Sequence, residues 1–408
     1  MTMGEIYVKT AALDAAFHMP TYARKEAMFV RGSGMRLYDD EGREYLDFVA
    51  AIGAVNLGHA HPAVADAVDA QMRKLVQVSN LYHVEHRDEL AEVLVGLLGG
   101  DRRVFFANSG AEANEGAIKL ARKWGRTVHG EGCAGIVTAL NSFHGRTLAT
   151  LAATGQPAKQ EAFQPLPGGF THVPLNDLRA LEAAVTADTC AVMLEPIQGE
   201  GGVYPCTPGY LQDAERLCGE RHVLLILDEV QTGFWRCGAT AFAHQLPEYR
   251  ADPDIVTCAK AMANGLPIGA VVARADIADV FQPGDHGSTF AGGPVVCAAA
   301  LATIGALIGE DLGGNAITVG AHLKAGLNQL AADTAGIEEV RGTGLMLAAH
   351  LAEPRAAEFA AEALRQGLVV NAIGTHILRF LPPLVCGIAE VDTLLDFLHA
   401  ILDTGPSC

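Results

Sequence analysis

None of the nine cysteines forms a Cys-x-x-Cys pair; they stand singly at positions 133, 190, 206, 218, 237, 258, 297, 386 and 408. The spacing argues against a disulfide framework or a zinc site and suits reduced thiols in a cytoplasm. Positive charge is scarce too. The chain has 29 Lys and Arg against 47 Asp and Glu, a formal net charge of −18, which disfavours nucleic acid and anionic membranes as partners. Glu5, Lys9 and Asp14 leave the first residues without the apolar core of a secretory signal. One long uncharged stretch, Gly287 to Gly309, carries Ser288, Thr289, Pro294 and five glycines, so a loop leading into a core helix is expected there, not a membrane span. There is no internal repeat, no Gly-x-x-x-x-Gly-Lys-[Ser/Thr] loop and no Gly-x-Gly-x-x-Gly turn. Nucleotide binding of those kinds is unsupported.

What remains is apolar. Half of the 408 residues are hydrophobic and the mean hydropathy is +0.21, a composition for a compact protein of two domains. Between about 80 and 300, strand candidates at Val104–Ala107, Gly135–Ala139, Ala191–Leu194, Val223–Leu227, Ile255–Cys258 and Gly269–Ala273 alternate with helical patterns, the mark of an α/β sheet. Several of these runs do not alternate, as expected for parallel strands buried on both faces. Later segments read as a smaller α+β unit. The expected division is 1–58, an N-terminal segment packing with the small domain; 59–305, a large domain; and 306–408, a C-terminal small domain.

Two strand ends dominate the reading. The run Val223–Leu227 stops at Asp228, and the shorter Ile255–Cys258 is followed by Lys260. Ligands of such sheets sit beyond the carboxyl ends of the strands. An amine there can condense with an aldehyde if burial lowers its pKa, and an aspartate facing a ring nitrogen can keep it protonated. Each residue alone also has an ordinary explanation, a turn cap or a surface lysine. Ser109 and Glu112 predict a capping box at a helix start whose free N–H groups suit a phosphate. Phe143 could stack on a flat ring and Arg146 could clamp a carboxylate. Glu195 and Glu200 read either as an acid/base pair or as turn anchors. Arg379, on a strand face with Ile377 and Leu381, needs an anionic partner. His59 and His61, at alternate positions, are a poor metal pair, and no metal is expected.

Together, Ser109–Asn114, Phe143–Thr147, Glu195–Gly202, Leu227–Gly233 and Ala259–Lys260 resemble the class III aminotransferases, which use pyridoxal phosphate on the fold type I scaffold. The resemblance runs from about residue 20 to 385. With Asn56–Pro62, Ser79–Tyr82 and His286–Phe290, it is to members that move the δ-amino group of N-acetylornithine to 2-oxoglutarate, in arginine biosynthesis. It implies that Lys260 carries the cofactor and shuttles the proton, and that Asp228 bonds the pyridine nitrogen. Gln231 would contact the ring hydroxyl, Phe143 would stack on the ring, and Ser109, Gly110 and Ala111 would hold the phosphate. Thr289 would join them from the second subunit of a homodimer. Arg146 would bind the donor's α-carboxylate and glutamate's distal one; Arg379, neutralised by Glu200 while the donor is bound, would take glutamate's α-carboxylate; Asn80 would also touch substrate. Succinylornithine, succinyldiaminopimelate, free ornithine and 4-aminobutyrate are alternative donors, and an aminomutase is a more distant reading. Ile52, where relatives acting on free ornithine usually carry tyrosine, favours an acylated amine. Trp235, in place of a usual glycine, is expected to reshape the substrate entrance, and Gly293 replaces a usual asparagine.

Overall fold

The structure, a computed structural model, describes residues 3–403; Cys408 lies outside them. Its centre is a seven-stranded sheet built from β1 (Arg102–Ala107), β2 (Gly135–Ala139), β3 (Phe170–Val173), β4 (Thr189–Leu194), β5 (Leu224–Asp228), β6 (Ile255–Cys258) and β7 (Gly269–Arg274). The spatial order is β1-β7-β6-β5-β4-β2-β3. All neighbours are parallel except at β7, which runs antiparallel to both β6 and β1. Every residue of β4, β5 and β6 is buried, the physical reason these strands read as unbroken apolar runs. Successive side chains of β5 serve opposite faces: Leu225 and Leu227 join one core, Leu224 and Ile226 the other. Each such buried aliphatic side chain contributes roughly 1.5–3 kcal/mol relative to exposure. Edge strand β3, absent from the sequence expectation, is the exception. Its Phe-Thr-His-Val is only partly buried and pairs only with β2.

After β1, Ser109 caps the 19-residue helix Gly110–Val128. A Cβ at Gly125 would stand 2.5 Å from Cys190 Cβ on β4, so glycine lets this helix lie close against the sheet. The stretch weighed as a membrane span resolves into a loop and the 16-residue helix Pro294–Gly309, buried at nine positions. No single helix among the described residues is long and apolar enough to cross a membrane. The pair Pro294–Gly309 and Leu312–Asp333, bent by 63°, reaches that length and apolarity only together.

Two further sheets flank the centre. Strands Ile337–Thr343, Met346–Leu351, Ile377–Phe380 and Asn371–Ile373 form an antiparallel sheet in that order. The N-terminal strands Phe29–Ser33, Arg36–Asp39 and Glu44–Asp47 are extended by Leu368–Val369, which pairs Leu368 with Leu46. Arg236 is completely buried. Its guanidinium donates to the carbonyls of Leu345 (3.0 Å) and Pro382 and to Asn56 Oδ1, joining three distant parts of the chain. His59 and His61 turn to separate carboxylates, Asp47 at 2.8 Å and Glu310 at 3.1 Å, and no metal-competent cluster occurs among the described residues.

Candidate active site

Strands β5 and β6 are adjacent and parallel, with Asp228 opposite Thr257. Asp228 and Lys260 therefore leave the sheet at one edge, and both line a cavity of about 250 Å³. Gly110, Ala111, Phe143, Arg146, Glu200 and Gln231 line it too. The sheet has brought together residues that are scattered over more than a third of the sequence.

Asp228 is nearly inaccessible and firmly held. Its Oδ2 accepts from Asn114 Nδ2 at 2.7 Å and lies 2.9 Å from His144 Nδ1, while Oδ1 accepts from the Val230 amide at 3.0 Å. Asn114 is fixed in turn by donating to the His144 carbonyl (2.8 Å) and accepting from Thr257 Oγ1 (2.6 Å). Burial alone would lower the His144 pKa; its hydrogen bond to Asp228 and the Asp228 and Glu195 charges outweigh that and raise it. Its Nε2 is buried without a partner among the described residues.

Lys260 opens a short 3-10 turn with φ of 42°, a left-handed conformation that is uncommon for a non-glycine residue. Burial lowers its amine from 10.5 to about 8; the Glu200 carboxylate opposes this, and the Arg379 guanidinium adds to it. At pH 7 about a tenth of such amines are neutral, against fewer than about one in a thousand for a free lysine. Cofactor-stripped protein should therefore react with an aldehyde with a pH midpoint near 8, and Glu200→Gln should move that midpoint down. A midpoint near the free-lysine value would show that the amine is not desolvated.

The two glutamates of the 195–202 turn have separated. Glu195 is buried and accepts from the amides of Phe143 (2.9 Å) and Gly199 (3.4 Å). Burial, partly countered by His144, raises its pKa. Glu200 pairs with Arg379 Nη1 at 2.6 Å and accepts from Gln231 Nε2 at 3.2 Å. Burial would raise the Glu200 pKa, but Arg379, Lys260 and these hydrogen bonds lower it overall. The two are not an acid/base pair. Arg379 is 1% exposed, and it also donates to the Gly199 carbonyl and Asn371 Oδ1. It stands behind Glu200, outside the cavity wall.

Other expected residues lie elsewhere. Ser109 accepts from the Glu112 amide at 3.1 Å, but Glu112 reaches back to Asn108 instead of Ser109. Only half of the expected capping box forms. The amides of Gly110 and Ala111 make no hydrogen bond among the described residues. Thr289 and Asn80 are away from this cavity: Gln77 donates to the Thr289 carbonyl at 3.3 Å and Asn80 to the Ser288 carbonyl at 2.8 Å. Ile52 is partly exposed and also off the cavity wall. Trp235 takes φ of 61° and packs towards Gly313, where an added Cβ would lie 2.6 Å from Trp235 Cδ1. It belongs to the packing around the helix Leu312–Asp333 and does not line the cavity, which corrects the expectation of a reshaped entrance. Asn114, His144 and Thr257 had no role assigned from sequence. The first two sit inside quoted motifs, which was a usable signal; Thr257 offered none.

The class follows from both site and sequence. Residues 20–402 match the family described as Aminotransferase class-III, and the chain belongs to that family: it is a pyridoxal-phosphate-dependent aminotransferase. Among its relatives is the acetylornithine aminotransferase of Gloeobacter violaceus, 51% identical and covering 94% of this chain and 95% of that protein. The enzyme of the same name from Neisseria meningitidis serogroup A is 47% identical over 90% and 92% of the two chains. The ornithine aminotransferase from Toxoplasma gondii superposes with a TM-score of 0.92 at 32% identity, covering 98% and 95% of the chains. An acetylornithine aminotransferase from Elizabethkingia anophelis gives 0.88 at 34%, covering 98% and 99%.

The residues present fit the cofactor. Two free amides begin a 19-residue helix whose dipole favours a phosphate. Asp228 offers a pre-oriented carboxylate, and Lys260 has an amine poised for an aldehyde.

Proposed function

We propose that the protein moves the δ-amino group of N-acetylornithine to 2-oxoglutarate, giving N-acetylglutamate 5-semialdehyde and glutamate in arginine biosynthesis. The observation that carries this is the Arg379–Glu200 pair beside the cavity that Arg146 lines. Glu200 can neutralise Arg379 while an ω-amine is bound and release it for a second carboxylate, so one site serves both substrates. The names borne by relatives at 44–51% identity support the acetylated donor.

When bound, pyridoxal phosphate supplies an aldehyde that accepts the amino group and a ring that withdraws electrons from the neighbouring carbon. In this reading Asp228, oriented by Asn114 and His144, keeps a proton at the ring nitrogen. Lys260, as neutral amine, would take the proton from the substrate carbon that bears the amino group and hold it for delivery to the carbon on the other side of that nitrogen. Gly110 and Ala111 amides with Ser109 would hold the phosphate, Gln231 would meet the ring hydroxyl and Phe143 would cover the ring. Arg146 binds the donor's α-carboxylate and glutamate's distal carboxylate; Arg379 takes glutamate's α-carboxylate.

We assign Thr289 to the other subunit's phosphate site, which makes the enzyme a homodimer. Support comes from the exposed apolar side chains of the 77–82 and 288–290 segments, Leu81 at 87%, Tyr82 at 65% and Phe290 at 68%, which a second subunit would cover. The free, buried cysteines agree with a cytoplasmic setting.

A donor panel tests the assignment. With 2-oxoglutarate as acceptor, N-acetylornithine should exceed free ornithine and 4-aminobutyrate in kcat/KM by at least about tenfold, the discrimination expected when one end of a substrate fills or leaves empty its pocket. A preference for free ornithine would transfer the chain to another substrate group within the family.

A further inference from the structure

Two cations lie near the ring of Phe143: Arg146, on the cavity wall, and Lys159, which is not part of that wall. Arg146 Cζ lies 5.6 Å from the ring centroid and Lys159 Nζ 5.4 Å. Arg146 belongs to the same loop as Phe143. Lys159 arrives on the short helix Pro157–Gln160, and its amine is aimed by a relay: it donates to Gln156 Oε1, while Gln156 Nε2 donates to the carbonyls of Asn141 (3.3 Å) and Ser142 (3.0 Å). The loop that presents Phe143 therefore also orients Lys159.

Neither cation has a carboxylate within 4.0 Å among the described residues, although acids outnumber bases 47 to 29. Lys159 is half-buried, and its pKa is lowered, first by burial and then by the Arg146 charge; Glu200 and Glu195 pull the other way. Nearby acids are thus felt at a distance but do not pair with it. A partly desolvated amine next to a second unpaired cation is an unfavourable arrangement until an anion enters between them.

We propose that Lys159 is a specificity-determining residue that completes, with Arg146, a two-cation clamp for the substrate carboxylate lying over Phe143. The inference rests on Arg146 being the carboxylate site, as read above. The anion would be the α-carboxylate of the amino donor in one half-reaction and the distal carboxylate of the oxo acid in the other. An amine with no carboxylate gains nothing from the clamp, so Lys159 sorts amino acids from plain diamines.

The test uses holoenzyme and single-turnover half-reactions with N-acetylornithine, 2-oxoglutarate and 1,4-diaminobutane. K159M should raise the half-saturating concentration of both carboxylates by about tenfold, the loss of one charge-assisted hydrogen bond. The limiting rates, and all kinetics with diaminobutane, should stay within about twofold. K159R should restore carboxylate binding, and K159Q repeats the neutralisation if the methionine variant folds poorly. Unchanged half-saturation with both carboxylates overturns the proposal. So does an equal loss with diaminobutane, which would mean that Lys159 only props Phe143. R146M separates the two readings: if it too leaves carboxylate binding unchanged, the carboxylate assignment of Arg146 fails. If R146M weakens binding and K159M does not, only the clamp fails.

Discussion

Lys260→Ala should abolish transamination, lowering the rate of each half-reaction by at least about 10⁴-fold, the upper range for removing a group that moves the proton in the transition state. The expectation rests on position and on chemistry. The amine lines the same cavity as Asp228, and burial holds its pKa near 8, where a useful fraction is neutral at physiological pH. Visible absorbance from cofactor attached to the protein should disappear, while the far-ultraviolet circular dichroism stays. Lysine at this position bears an unfavourable left-handed φ, so alanine adds no new backbone demand and the fold should survive. A variant keeping a tenth of wild-type turnover would remove Lys260 from the chemistry.

Arg379→Met should give the second large effect, and a lopsided one. The 2-oxoglutarate half-reaction should lose about 10²-fold or more in kcat/KM, the order of 2–5 kcal/mol seen when one partner of a hydrogen-bonded charge pair is truncated. The acylornithine half-reaction should fall far less, because Glu200 already pairs with Arg379 at 2.6 Å and, in the proposed cycle, keeps it neutralised while the donor is bound. Methionine keeps the volume of a side chain that is 1% exposed. It also frees Glu200 to pair with Lys260, so the Lys260 amine should titrate higher. Equal losses in the two half-reactions would argue that Arg379 is only a structural anchor for the Gly199 turn.

The parts of this architecture that the chain announces are those whose environment is uniform. β5 and β6 are buried on both faces, so their apolar runs by themselves point to an inner parallel sheet. β3 escaped notice because it is a four-residue edge strand with a threonine and a histidine. The reversal of β7 could not be read either, since strand direction depends on partners and not on composition. The same divide runs through the site. Asp228 and Lys260 are conspicuous as charges ending apolar runs. The ladder from Thr257 through Asn114 to Asp228 joins residues more than a hundred positions apart, and nothing local signals it. Glu195 and Glu200 look alike in sequence. Only packing decides that one is buried against backbone amides and the other faces a guanidinium. Trp235 shows the opposite error. Its bulk near a cofactor motif suggested a gatekeeper, yet its left-handed backbone turns it towards Gly313.

The surroundings of Arg236 set it apart from every other buried charge discussed. Its acceptors are two peptide carbonyls and an amide side chain, none of which titrates. Acidification protonates Glu200, whose pKa is depressed by Arg379, and that pair loses its contribution as pH falls through the depressed value. The link among Asn56, Leu345 and Pro382 has no carboxylate to lose, so acidity that loosens the substrate-exchange pair leaves this seam fastened.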